Sequence, residues 1–228
     1  MSANGMTDDY GQRFAAQLQP ISQAIREAMT EKDNIRDLTV RRSRELIRLC
    51  SECIRAIHRS QWTDAEAKFG QIRAAADELR DGVREHPDIY HTGYTQDALK
   101  EVVEAFLTYS LIRDLPLPTP ETLDVPHSTY LNGMAEAATE LRRFILDLMR
   151  REDSHSAEAE RLLNCMDAIY DELVTFDFPD AITHGLRRQT DVVRGVLERT
   201  RGDLTTSLRQ QQLQNALQQL EARLQNRD

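Results

Sequence analysis

From Ile21 to about Ser60 the chain runs without a glycine or a proline, and Ile25, Met29, Ile35, Leu38, Leu46, Ile47, Leu49, Ile54 and Ile57 recur at helical spacing. A run this long has the period and length of a helix; strands rarely exceed about ten residues. The segment before it, from Asp8 to Met29, is also helical in pattern, and Pro20 is expected to break or kink it. The whole chain of 228 residues holds nine Gly and seven Pro, and almost no stretch alternates apolar with polar residues. The expected fold class is therefore all-α, with no sheet.

Further helices follow in order. Trp62 opens one over Thr63–Glu85, with Thr63-Asp-Ala-Glu66 as a capping box. An acidic helix ends near Asp114, and Pro116, Pro118 and Pro120 force an extended turn after it. Helices are then expected over 127–151, 156–176 and 180–200, with Gly202 ending the last. Residues 1–204 read as a single all-α domain. Residues 205–228 read as a Gln-rich tail with a thin leucine stripe, either a short coiled segment or a frayed terminus.

Composition narrows the classes. Hydrophobic residues are 40% and charged residues 29%, a globular rather than a disordered mix. The formal charge of −9 argues against nucleic-acid binding through overall charge but leaves room for a local basic surface. No stretch approaches about eighteen uninterrupted apolar residues, and no signal pattern opens the chain, so a cytoplasmic protein with no membrane partner is expected. Cys50, Cys53 and Cys165 are odd in number and fall in helical patterns, which reads as reduced thiols. Cys50-Ser-Glu-Cys53 lies mid-helix with no second pair, against a zinc or redox role.

Two charged faces stand out. In the acidic helix Asp97, Glu101, Glu104 and Thr108 fall at i, i+4, i+7 and i+11 on one line, with Leu99, Val102, Val103, Phe106, Leu107, Leu111 and Ile112 crowding both flanks. Like charges one turn apart repel, and more so when desolvated, so water or a cation must compensate. Spacing alone leaves a solvated face and a hard-metal site both open. Glu136 with Glu140, and Asp167 with Asp171, form further acid pairs one turn apart.

The second face belongs to the long first helix. Arg41, Arg44, Arg48, Arg55 and Arg59 lie close to one line, and Arg36–Arg59 holds seven arginines against three acids, +4 in a chain of −9. Arginine at every cationic position suits planar, bidentate contact with phosphate or carboxylate. A nucleic-acid surface and an ordinary solvated or inter-subunit ion-pair face both fit. No phosphate loop, nucleophile elbow, zincin or EF-hand motif is present, so any chemistry must come from carboxylates, with or without metal.

Three short motifs in order resemble the translin family. Glu101, Val103, Glu104 and Ala105 match its E-Y-V-E-A run. Tyr130, Leu131, Gly133, Glu140 and Leu141 match its Y-L-x-G segment, and Ile169, Tyr170 and Asp171 its V-Y-D-G segment, with Glu172 in place of the glycine. Leu38, Arg44, Ile57, His58 and Arg59 are similar to its first helix. The likeness spans about residues 30–200 and is closer to the translin-associated factor X (TRAX) branch than to translin. It implies an all-α subunit of about seven helices in an antiparallel, superhelical bundle, assembled into a closed homo-oligomer, an octamer being favoured. TRAX-like subunits are Mg²⁺-dependent endoribonucleases on single-stranded RNA, whereas translin subunits bind without cleaving. The roles carried over fall on Glu101, Glu104 and Asp171 as catalytic and metal-binding residues, with Glu140 as a neighbouring metal ligand. The insertion of animal TRAX before the Y-L-x-G segment is much shorter here.

On that basis the expected activity is single-stranded RNA hydrolysis with Mg²⁺ or Mn²⁺ held by carboxylates, and Arg41, Arg44, Arg48, Arg55 and Arg59 guiding the backbone. The competing readings are a non-catalytic holder of single-stranded RNA or DNA, and a helical scaffold whose acidic and basic faces pair across subunits.

Overall fold

A computed structural model describes residues 4–151 and 157–225. Residues 1–3 and 226–228, and Ser156 at the expected start of a helix, lie outside the described residues. Regular structure among those described is helical throughout. Six long helices are α1 (Asn4–His58), α2 (Trp62–Gly82), α4 (Gly93–Ile112), α6 (His127–Arg151), α7 (Ala157–Leu173) and α9 (Leu186–Gln225); α3 (Pro87–Tyr90), α5 (Pro120–Leu123) and α8 (Asp180–Thr183) are single turns at the connections. The expected all-α bundle is observed, with the expected seven helices resolved into six long ones and these turns.

The layers follow from which faces are apolar. α1 packs on α2 and α4, α4 on α6, and α6 on α7 and α9, which also pack on each other. α4 is therefore the middle of the molecule, and every residue from Val102 to Ile112 is buried. Its C-terminal carbonyls are capped from α7, where the Arg161 guanidinium donates to Leu111 O (3.0 Å) and Ile112 O (3.1 Å).

Tertiary contacts override three local signals. Pro20 lies inside α1 without ending it; the turn that loses its amide donor is exposed, so water can serve the freed carbonyl. Gly202 does not end α9, where Leu197, Thr200 and Leu204 are buried on either side of it and outweigh a glycine cost of about 1 kcal/mol. The capping box at Thr63 does not form: α2 starts at Trp62 with Gln61 as its uncapped N-terminus. Glu66 instead accepts the Tyr109 hydroxyl from α4 at 2.5 Å, beside a cluster in which Phe69 lies 4.3 Å from Phe106 and 5.0 Å from Tyr109.

Cys50 and Cys53 are free thiols on the buried face of α1. Burial pushes both thiols up, Cys53 to about 12, so they behave as small core residues.

Both ends of the chain carry apolar stripes that the bundle does not cover. On α1, Tyr10, Phe14, Leu18, Ile21, Ile25 and Met29 are all exposed at spacings of three and four. On α9, Leu213, Leu217, Leu220 and Leu224 are equally exposed, so the Gln-rich segment is a continuation of that helix.

The approach of α6 to α4 is set by Gly133. A Cβ there would stand 2.6 Å from Val103 Cβ and 2.8 Å from the Lys100 carbonyl oxygen. Backbone cannot yield as a flexible side chain does, so only glycine allows this spacing. Gly133→Ala is expected to lower stability by about 1–3 kcal/mol, measured by urea unfolding at an unchanged slope.

Candidate metal centre

The close α4–α6 contact brings carboxylates from two helices together. Glu136 follows Gly133 by three residues and so shares its face of α6. One carboxylate oxygen from each of Glu101, Glu104 and Glu136 lies within 4.8 Å of the others. Glu140, one turn further along α6, adds its charge to the field at both Glu101 and Glu104. Two of the four residues expected as metal ligands, Glu101 and Glu104, are thus joined by Glu136, with Glu140 at the margin.

The surroundings hold these side chains in place. Lys100 Nζ donates to Glu136 Oε1 at 2.7 Å, and Gln189 Nε2 from α9 donates to the same oxygen at 3.1 Å. Glu140 meets the ring of buried His58, at the end of α1, with Nε2 and Oε2 2.5 Å apart. Four helices therefore meet here, and among the described residues four glutamates, with Asp97 3.9 Å from Lys100 at the edge, face one lysine and one histidine.

That imbalance appears in their proton affinities. Burial, followed by the charges of Glu101, Glu136 and Glu140, pushes Glu104 up to about 8. Glu101 is raised by burial and by Glu136, against the opposing pull of Lys100. Thr108, next on the line beyond Glu104, is fully buried, and its hydroxyl oxygen has no hydrogen-bond partner among the described residues. Hard oxygen donors, converging and short of positive charge, fit a hard divalent cation such as Mg²⁺ or Mn²⁺.

Asp171 stands elsewhere. It is exposed on α7 and is not one of the described carboxylates that converge with Glu101 and Glu104. Asp167, one turn before it, accepts Arg201 at 2.8 Å. The sequence motifs in order point to α7, whereas the residue that completes the cluster is Glu136. Its signal was in the sequence: a glycine three residues before a glutamate on an amphipathic helix.

All five arginines of the α1 line are exposed. Arg48 is engaged by Glu45 at 2.5 Å and by Glu52. Arg42 beside the line reaches Glu78 on α2 at 2.7 Å. Arg41, Arg44, Arg55 and Arg59 form no ion pair among the described residues. No helix among the described residues is long and apolar enough to cross a membrane.

No protein-family model matches the chain. The Methanocaldococcus jannaschii protein MJ0175 is 31% identical over 195 residues, 85% of this chain and 85% of that one. The crystal structure of AfC3PO is 30% identical with a TM-score of 0.73, and its complex with duplex RNA is 32% identical with a TM-score of 0.72; each match covers 81% of this chain and 95% of the other. Apo-NeC3PO, 20% identical, shares the fold at a TM-score of 0.72 over 82% of this chain and 97% of its own. The bundle is thus the translin-type all-α fold. The chain belongs to the translin family, as does AfC3PO, and is related over most of its length to MJ0175.

Glu104 gives the cluster a pH signature. Its folded affinity for a proton exceeds the unfolded one, so its favourable contribution is fully present below about pH 4.5 and is lost as pH rises through about 8. In EDTA the wild type should lose stability over that window by on the order of a few kcal/mol, and Glu104→Gln should flatten the loss. Thermal midpoints of both proteins against pH check this; parallel curves would show that Glu104 does not carry the dependence.

Proposed function

We propose that the protein is a TRAX-like, metal-dependent endoribonuclease acting on single-stranded RNA, with Glu101, Glu104 and Glu136 as the cation ligands. The convergence of those three carboxylates from two helices carries this reading, since a protein that only holds RNA has no use for buried acids that repel phosphate. Glu140 is the fourth candidate ligand, and Asp171 would enter only if another subunit brought it to the site.

When bound, Mg²⁺ or Mn²⁺ would supply charge to the scissile phosphate and lower the pKa of a coordinated water. The chain's own groups do the rest. Lys100 and Gln189 fix the orientation of Glu136, and His58 fixes Glu140, so the ligands are set before substrate arrives. Arg41, Arg44, Arg48, Arg55 and Arg59 offer exposed cations along α1 for the RNA backbone, of which Arg48 must first leave two glutamates. Single-stranded DNA would meet the same arginines; the duplex RNA in the AfC3PO complex makes duplexes a necessary comparison.

A homo-oligomer, with an octamer favoured, is supported by apolar surface the subunit leaves bare. The stripe at Tyr10–Met29 is one such surface. A groove of about 790 Å³ walled by Leu117, Tyr130, Ile169, Phe176, Phe178 and Ile182 is another. A cytoplasmic location agrees with the absence of a membrane-crossing helix among the described residues.

The test is a cleavage time course on labelled single-stranded and duplex RNA, with Mg²⁺, Mn²⁺ or EDTA. Wild type should cleave the single strand only with metal. Glu101→Ala/Glu104→Ala should abolish cleavage while retaining binding, and Glu136→Gln should require more metal for half-maximal rate, by about 10-fold or more. Binding without cleavage under every condition would leave a translin-like holder of single strands. Asp171→Ala run in parallel should cleave as wild type does; its loss of activity would place Asp171 in the site through the oligomer.

A further inference from the structure

Beside the carboxylates, on the side toward the start of α4, lies a separate polar cleft of about 390 Å³. Ligand pockets run from about 300 to 1,000 Å³, so this one has room for a single nucleotide rather than a folded element. It shares two walls with the candidate metal centre: Lys100 and Gln189, the residues that donate to Glu136, also line the cleft. From Gln96 and Asp97 to Glu101 is four or five residues, about 6–7.5 Å along the helix axis, comparable to one step of an extended single strand.

The floor is built and its polar groups are largely spent. Thr129 Oγ1 donates to the Gln96 side-chain Oε1 at 2.6 Å, Gln96 Nε2 donates to Tyr90 O at 2.7 Å, and Asn132 Nδ2 donates to Ser128 O at 2.8 Å and Thr183 O at 2.9 Å. The last bond ties α6 to α8 and so fixes the turn from which α9 departs. That turn delivers Arg188 to the rim, exposed and with no ion pair among the described residues, next to half-exposed Val192. The walls therefore offer Arg188 as a cation unpaired among the described residues, Lys100 as a cation already donating to Glu136, and Asp97 as an exposed acid, while the neighbouring cluster offers the carboxylates that would hold a divalent cation.

We propose that this cleft seats the nucleotide adjacent to the cleaved phosphodiester, with Arg188 holding that nucleotide's own phosphate and its ribose and base resting against Val192 and the floor. This rests on the RNA-cleaving reading given above. Because the floor amides are already engaged within the protein, the seat reads shape and charge and shows little base preference.

The experiment measures anisotropy of a short labelled single-stranded oligoribonucleotide with Ca²⁺ in place of Mg²⁺, alongside Mg²⁺-dependent cleavage. Arg188→Gln should raise Kd about tenfold and reduce the salt slope by about 0.7. Val192→Trp, which fills the cleft without changing charge, should weaken binding by a similar factor. Arg194→Gln should bind as wild type, since Arg194 lies outside the cleft and pairs with Asp191 at 3.1 Å. Size-exclusion profiles of all variants should match the wild type. Wild-type cleavage with unchanged binding in Arg188→Gln and Val192→Trp would overturn the subsite and leave the nuclease intact. Loss in Arg188→Gln alone would reduce Arg188 to a surface charge and also overturn it. A wild type that neither binds nor cleaves RNA removes the nuclease reading and the subsite together.

Discussion

A carboxylate in the middle of the core is the constraint around which this subunit is built. Glu104 sits within Val102–Ile112, where every other residue is apolar or an uncharged polar group and all are buried. Burying an unpaired charge is among the most costly things a fold can do. The neighbouring structure adds to that cost. Gly133 lets α6 close on α4, which brings Glu136 and Glu140 to Glu104, and those acids are themselves held by Lys100 and His58. Packing density and charge placement are thus one arrangement: the contact that fills the core also assembles the acids.

The surface shows the complementary division. A polyanion approaching a chain of net charge −9 is repelled at long range, so attraction has to be local. The arginines of α1 and the cation rim at Arg188 are such places, and both lie on long helices whose other faces anchor the core. The apolar ends of α1 and α9 do different work. They add nothing to the subunit's own core, and exposed stripes of this regularity call for a partner surface. Assembly would also decide which subunit's arginines face which subunit's acids.

Much of the fold was legible because long helical periods survive in sequence: the six long helices lie where apolar spacing and scarce glycine put them. Their ends were less legible. Pro20 and Gly202 are local breakers whose penalties are small beside the packing or solvation available to each, and Thr63 lost its capping role because Trp62 and Glu66 had better partners on α4. The candidate site was half legible. Glu101 and Glu104 announce themselves by spacing on one helix, but convergence between helices depends on an interhelical distance that the spacing of acids does not encode. Gly133 fixed that distance. The V-Y-D-G resemblance pointed instead to Asp171, which is exposed on α7, one turn after an acid that pairs with Arg201.

The acids of the cluster solve their shared problem by different routes. Glu136 and Glu140 each have a basic side chain brought to them from another position in the fold, whereas Glu104 is answered by a proton. A proton is a neutralising group that a divalent cation can displace without moving the backbone. A lysine paired with Glu104 would have to be expelled, with its side chain relocated in a packed core, before a cation could enter. Leaving the most buried carboxylate of the cluster to a proton would keep the subunit stable without a metal and the centre exchangeable. Cation binding there would release a proton at neutral pH, so metal occupancy and acidity would oppose each other at this position.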